Sequence, residues 1–401
     1  AFPRIPTRDL ERHVNVDHHE REAFVIELGG EIIAVGQYDR LGPTAVNAEV
    51  AFVVEDAYQR RGLGSVLLEH LAAAAREEGI GNFVADVLPV NATMLRVFAD
   101  AGYPVSQRFV DGVVHLSFPI APTSESLAVQ WAREHHAEAA SISRLLAPRG
   151  VAIYGARGDG TGAGAALLRH LLAGGFVGGV YPVHPSAQTI GGLPAVTSLV
   201  DAAGPVDLAV IAVPAEVVPQ VVADCAAAGV RGLVVVSAGF AESGPDGAAA
   251  QARLVRIVRG HGMRLVGPNC LGIANPGRLV GLNATLSPRL PPQGAVGLFS
   301  QSGALGAALL AEASRRGVGV SSFVSVGNRA DVSGNDVLQY WRDDQSTAVV
   351  LLYMETWGDP RKFARVAREL AQRKPVVAVA SAARPPALAA VALGPDARGV
   401  E

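Results

Sequence analysis

An α/β fold in several domains is what the sequence predicts, and three observations carry it. A length of 401 residues exceeds what one ordinary core holds, and a hydrophobic fraction of 49% supplies material for more than one. Strand-like and helix-like runs alternate along the chain. From about residue 148 the strands change from alternating apolar and polar residues to continuous apolar runs, the mark of strands covered on both faces.

The first section, residues 1–122, reads as a mixed sheet. "EAFVIELGGEIIAVGQY" (residues 22–38) is two strand-like runs about Gly29 and Gly30, a β-hairpin. In "AVNAEVAFVVED" (45–56), Val46, Ala48, Val50, Phe52 and Val54 share one face of a strand, while Asn47 and Glu49 take the other. A glycine-rich turn then opens a helix in "QRRGLGSVLLEHL" (59–71). A strand at "NFVADVL", a helix from Asn91 and a closing strand near "GVVHLSF" follow. Residues 123–147 read as a helical connector that starts at the capping sequence Thr-Ser-Glu-Ser.

In residues 148–285 strand, glycine turn and helix repeat through "VAIYGA", "GGVYPVHP", "LAVIAVP", "GLVVVSAGF" and "RLVGPN", which implies a parallel doubly wound sheet. The proline-rich "LSPRLPPQG" marks a boundary, and a further α/β domain is expected over residues 286–401.

A net charge of −3 offers no basic face for nucleic acid. Two cysteines, Cys225 and Cys270, make no disulfide framework and fit a reducing compartment. No signal peptide opens the chain and no apolar run approaches the ~20 residues of a membrane span, so a cytoplasmic protein is expected. The histidine pairs 18/19 and 135/136 lack companions at ligand spacing, and no metal site is expected.

In the first glycine turn, Gly62 and Gly64 let backbone approach a ligand, the following helix points its first N–H groups at an anion, and Arg60 and Arg61 add charge where a pyrophosphate would sit. Glu49 lies beside the turn and can take a proton from an ammonium nucleophile. With "NATMLRVFADAGY" downstream, these features resemble the GNAT family of N-acetyltransferases. The resemblance implies acetyl-CoA as cofactor. Its pyrophosphate would be held by Gln59, Arg60, Arg61, Gly62, Leu63 and Gly64, with Asn91 near the pantetheine. Glu49 would be the general base, and backbone near Val50 and Phe52 would polarise the thioester. In this sequence Phe98 stands where many members carry a tyrosine acid, and Tyr103 is a weak substitute. Against the GNAT pattern the chain enters late, just before the hairpin, so the N-terminal elements are expected to be missing.

The second glycine turn, "VAIYGARGDGTGAG" (151–164), misses a dinucleotide fingerprint, because Ala163 and Ala165 stand where glycine is required. The next strand ends in His184-Pro185 rather than an acid, which disfavours NAD. Residues 148–380 instead resemble the CoA-binding α portion of NDP-forming acyl-CoA synthetases, the superfamily of succinyl-CoA synthetase, in "SAGFAESG", "RLVGPNCLGIANP", "LFSQSGALG", "SVGNRADVSGND" and "YMETWGDP". The resemblance implies a Rossmann-like CoA-binding domain and a flavodoxin-like domain. Gly155, Ala156, Arg157, Val213 and Pro214 would line a second CoA site. Asn269, Ser300, Ser302 and Gly303 would face a phosphoryl-transfer centre, with Glu355 as the acid that orients the family's histidine. After "KPVVAVAS" no histidine follows, and the last in the sequence is His261; the resemblance therefore implies a degenerate centre. No ATP-grasp portion is seen. Cys270 reads as a buried structural thiol rather than a nucleophile.

The combination resembles bacterial protein lysine acetyltransferases of the Pat class. By that likeness the expected activity is acetylation, and inactivation, of an AMP-forming acyl-CoA synthetase, with the synthetase-like region regulatory and the protein self-associating. The alternatives are the α chain of an NDP-forming acyl-CoA ligase and a non-catalytic CoA sensor or scaffold.

Overall fold

The computed structural model describes residues 15–381. The chain divides between Glu134 and His135 into two compact units.

The first unit is built on six strands, β1 (Arg21–Leu28), β2 (Glu31–Arg40), β3 (Asn47–Val54), β4 (Asn82–Val87), β5 (Ser106–Val110) and β6 (Val113–Pro119), in the order β1-β2-β3-β4-β6-β5. Gly29 and Gly30 close the first hairpin with φ of 64° and 88°, a region costly for any residue bearing a Cβ. Helix α1 (Leu63–Glu77) buries Leu67, Leu68, Leu71, Ala72 and Ala75, an apolar stripe at helical spacing. It lies so close to β2 that a Cβ at Gly36 would stand 3.0 Å from the Leu67 Cβ. Helix α2 (Ala92–Ala99) adds Phe98 to an aromatic core with Tyr38, Phe83 and Phe118.

Among the described residues of this unit only β3 and β4 pair in parallel, over Asn47–Asn82, Ala48–Phe83 and Glu49–Val84. Beyond that rung the strands part, although β3 stays paired to β2 as far as Val54 and β4 to β6 as far as Val87. The sheet thus forks at Glu49. Strand β5 was not legible in the sequence because all five of its residues are exposed. Helix α3 (Ser124–Leu146) opens with a reciprocal cap: the Thr123 N–H donates to Ser126 Oγ and the Ser126 N–H to Thr123 Oγ1, each at 2.9 Å.

In the second unit a parallel sheet of β7 (Gly150–Tyr154), β8 (Gly179–Val183), β11 (Leu208–Ile211), β12 (Gly232–Val235) and β13 (Arg264–Val266) runs in the order β13-β12-β11-β7-β8. The two-residue strands β9 (Thr189–Ile190) and β10 (Leu193–Pro194) form a side hairpin. Counted within this sheet the order is 2-1-3-4-5, which reverses direction between β7 and β11. Helices α4 (Gly162–Ala173), α5 (Val218–Ala227) and α6 (Pro245–Gly260) connect these strands. Strands β7 and β11 are buried at every residue, as continuous apolar runs demand.

A further sheet orders β15-β14-β17-β16-β18-β19 from β14 (Gly272–Asn275), β15 (Leu282–Thr285), β16 (Gln293–Ser300), β17 (Val320–Ser325), β18 (Val349–Met354) and β19 (Val376–Ala380). It is joined by helices α7 (Gly303–Arg316), α8 (Gly334–Asp343) and α9 (Pro360–Ala371). Strands β16 to β19 are parallel, while β14 is antiparallel to both β15 and β17. The proline-rich segment expected as a boundary is the connection from β15 to β16, and β14 and β15, which precede it, add to the edge of the sheet that follows it. One apolar cluster runs from Val151 and Leu167 through Ile273 to Phe299 and Trp341, so the two layers share a core.

Residues 135–146 of α3 belong to this unit through ion pairs. Arg264 Nη1 meets Glu138 Oε2 at 2.7 Å and His135 Nε2 lies 2.5 Å from Asp343 Oδ2. Burial, with the charge of Asp336 adding and that of Arg264 opposing, pushes the Glu138 carboxyl up to about 7. Among the described residues no helix is long and apolar enough to cross a membrane.

Candidate functional site

The fork between β3 and β4 opens onto a cleft of about 280 Å³ lined by Phe52, Tyr58, Gln59, Arg60, Gly62, Leu63, Gly64, Asn91 and Thr93, among others. Seven of the residues named from the sequence thus come together. Gly62, at φ 81°, turns the chain into α1, and no side chain caps that helix. Its first-turn N–H groups are left for an anion, with Arg60 beside them at a left-handed φ of 60°. The Gln59 amide spans the turn, donating to Val54 O at 3.2 Å and to Asp56 Oδ1 at 2.8 Å. Asn91 Oδ1 caps α2 by accepting from the Met94 N–H at 3.1 Å, which holds the residue at the cleft wall.

Two expected contributors stand apart. Val50 is buried in the core and gives the cleft no side chain. The Arg61 guanidinium lies 5.0 Å over the Tyr58 ring and donates to Ala57 O at 3.0 Å. Tyr58, from the short helical turn before Gln59, and Thr93, from the first turn of α2, also line the cleft and went unnamed in the sequence. Glu49 is exposed on the face away from the core, at the last paired rung. Phe98 is buried in the core, and Tyr103 stacks on Phe118 at 5.7 Å between ring centroids.

The second glycine turn lies at the carboxyl end of β7, and Val213 and Pro214 lie just past that of β11. These are the strands between which the sheet order reverses, where ligands of such sheets bind. Close packing fixes the turn: a Cβ at Gly164 would stand 2.3 Å from the Gly155 carbonyl, and one at Gly155 would stand 2.3 Å from Ala212 O. Ala156 is buried, whereas Arg157 is exposed and pairs with Asp159 at 3.3 Å. His184 Nδ1 accepts from the N–H groups of Ser186 and Ala187, at 3.2 and 2.9 Å.

A third concavity, about 590 Å³, gathers Asn269, Ser302, Gly303 and Glu355 with Gln301, Glu242 and Asn328. Ser302 caps α7 by accepting from the Leu305 N–H at 3.3 Å, and the helix N-terminus lines the concavity. Ser300 is buried behind it and donates to Ser302 O at 2.6 Å. Gln301 binds the segment bearing Glu355, accepting from Thr356 N–H and donating to Thr356 O, both at 2.8 Å. Burial works against the Glu242 carboxylate, yet hydrogen bonds from Asn328 and from the Gly239 and Phe240 N–H groups hold it below the usual range. Glu242 and Asn328 were legible only as members of quoted motifs. Burial pushes the Cys270 thiol up to about 12, far from a thiolate at neutral pH. Residues 382–401, where the absence of a histidine was noted, lie outside the described residues. Among the described residues no group of three or more His, Cys, Asp or Glu is placed to hold a metal ion.

Residues 2–103 match the acetyltransferase (GNAT) family, residues 149–276 the CoA binding domain and residues 293–395 the succinyl-CoA ligase like flavodoxin domain. The ADP-forming acetate–CoA ligase I of Archaeoglobus fulgidus is 43% identical over 236 residues, 59% of this chain and 34% of that protein. Acetyltransferase Pat of Mycolicibacterium smegmatis is 38% identical over 102 residues, 25% of this chain and 31% of that protein. The solved structure of the dinucleotide forming acetyl-coenzyme A synthetase 1 of Ca. Korarchaeum cryptofilum, with phosphate and ADP, aligns at a TM-score of 0.57 and 39% identity over 60% of this chain and 51% of that one. The chain spans between 34% and 52% of the length of the ligase relatives that head the comparison. CoA and acetyl-CoA are the ligands these domains imply. The chain joins a GNAT-family acetyltransferase domain to a CoA-binding domain and a flavodoxin-like domain of the succinyl-CoA ligase type.

Proposed function

We propose that the protein is an acetyl-CoA-dependent lysine N-acetyltransferase acting on another protein, an AMP-forming acyl-CoA synthetase, with the synthetase-like region serving regulation or assembly. The observation that carries this reading is a strand fork that starts at an exposed carboxylate, Glu49, on its last paired rung, while the strand end beyond it lines one cleft with an uncapped helix N-terminus.

The residues fit the cofactor: Arg60 and the N–H groups opening α1 take the pyrophosphate, and Asn91 and Thr93 line the way to the fork. When bound, acetyl-CoA supplies a thioester whose carbonyl is open to attack. Along residues 50–54 the edge of β3 facing β4 has no strand partner, so its main-chain groups are available to orient that carbonyl. Glu49 takes a proton from the acceptor ammonium, directly or through water, and the free amine becomes the nucleophile. Thiolate is a good leaving group, so Phe98 in place of an acid is tolerated.

The test is acetyl transfer to a purified AMP-forming acyl-CoA synthetase, followed by mass spectrometry of its lysines. Transfer that is lost in Glu49→Gln supports the reading; unchanged turnover removes Glu49 from the role.

A second reading is favoured by the 43% identity to an acetate–CoA ligase and by the concavity around Ser302 and Glu355. In it the region from residue 148 acts as the α portion of an ADP-forming acyl-CoA ligase. Phosphate-dependent ATP formation from acetyl-CoA and ADP would support it. By contrast, CoA binding without either activity would support a sensor.

A further inference from the structure

The sheet face that bears Glu49 carries a second titratable pair. Asp86 on β4 and His115 on β6 stand directly opposite each other, and Asp86 Oδ1 lies 2.5 Å from His115 Nδ1. Val84, two residues before Asp86, is the partner of Glu49 on the last rung before the fork. Paired residues share a face and alternate residues return to it, so Glu49, Asp86 and His115 lie on one face. Asp86 lies on the neighbouring strand, two residues past the rung at which β3 and β4 part, and His115 lies one strand further on. The other charged group facing His115 is Arg108, its partner on β5. Helices α1 and α2 pack with Ala48, Val50 and Ala85 on the opposite face.

The Asp86 carboxylate fixes the imidazole, with the proton on Nδ1, and leaves Nε2 as an acceptor. That nitrogen has no protein partner among the described residues, and the side chain is 45% exposed to solvent. An imidazole is a stronger base than a carboxylate by about two pK units, so a proton collected by a carboxylate passes readily to a nearby histidine.

We propose that His115, oriented by Asp86, is a proton-relay residue that drains the acceptor's proton from Glu49 into solvent. The inference rests on the acetyl-transfer reading. An acceptor ammonium carries three protons and the amide product one. As the C–N bond forms and the C–S bond breaks, one proton ends on the departing thiolate. The other passes from Glu49 to His115 Nε2, through intervening water, and then to bulk. Nothing is oxidised or reduced.

The experiment measures kcat/KM for acetylation of the acyl-CoA synthetase between pH 6 and 9, with the full chain and its His115→Asn and Asp86→Asn variants. Asparagine at 115 keeps an N–H toward Asp86 but has no basic nitrogen. The expected result for His115→Asn is a fall in kcat of about tenfold or more at neutral pH, with KM for acetyl-CoA unchanged. The ionisation on the acid limb disappears, and added imidazole restores rate. In Asp86→Asn kcat also falls, because the imidazole loses the carboxylate that orients it. A cross-strand pair that merely joined β4 to β6 would move thermal stability without altering the profile. Superimposable profiles for His115→Asn and the unaltered chain overturn the relay while leaving acetyl transfer standing. Binding of acetyl-CoA with no transfer by the unaltered chain overturns both.

Discussion

The two glycine turns differ less in their own residues than in the sheets that carry them. At residues 59–64 the turn sits beside a fork, where a parallel pair of strands opens after three rungs and leaves one strand edge bare next to an exposed carboxylate. At residues 155–162 the turn sits on an unbroken parallel sheet, and its own carboxylate, Asp159, is turned onto Thr161 and Arg157. Both can hold an anion at a helix start. Only the first places a proton acceptor beside an opening that a thioester can enter. The lesson is that a phosphate cradle becomes a reaction site through what the neighbouring strands do.

The sharpest way to break this contrast is Glu49→Gln, for which acetyl transfer should fall by roughly 10²–10⁴-fold while CoA titrations by calorimetry stay unchanged. A smaller effect is expected from Gly164→Val, whose side chain would press into the Gly155 backbone. It should cost the second unit about 1–3 kcal/mol, read as an earlier unfolding step, and leave the acetyl-CoA affinity of the first unit intact. Arg60→Ala removes one charge-assisted contact at the first cradle and should weaken acetyl-CoA binding by about tenfold, without touching the second. Equal weakening at both sites would show that the cradles are not independent.

The mildest expectation concerns Glu138. Its folded-state carboxyl is raised from 4.5 to about 7, so the folded protein holds this proton more tightly than the unfolded chain. Its stabilising contribution is fully present below pH 4.5 and is lost as pH rises through about 7. Thermal unfolding across that window should slope downward with pH, and Glu138→Gln should flatten the slope.

Much of the architecture was legible because local rules agreed with the global fold. Gly29-Gly30 between alternating runs wrote the first hairpin, and the five continuous apolar runs wrote the parallel sheet. Strand β5 was hidden by its wholly exposed face, which removes the apolar half of the alternation. The outer strands β14 and β15 were hidden because the prolines that follow them look like a boundary, whereas they only bridge to β16. At the site, Gly62 and Gly64 were readable from the turn itself, and Gln59 and Asn91 from the resemblance to the GNAT pattern. Tyr58 and Thr93, which flank the named residues on a short helical turn and on α2, were not, and the pairing of Asp86 with His115 depends on strand register rather than on sequence distance.

The close fit of Gly164 against Gly155 also has a mechanical meaning. Helix α4 begins at that contact, is 12 residues or about 18 Å long, and near its far end His170 Nδ1 lies 2.9 Å from Thr285 O at the end of β15. Turn, helix and edge strand make one stiff strut. The Gly155 turn is thereby tied, through α4 and His170, to the edge strand of the sheet whose β16 leads into the Ser302 turn.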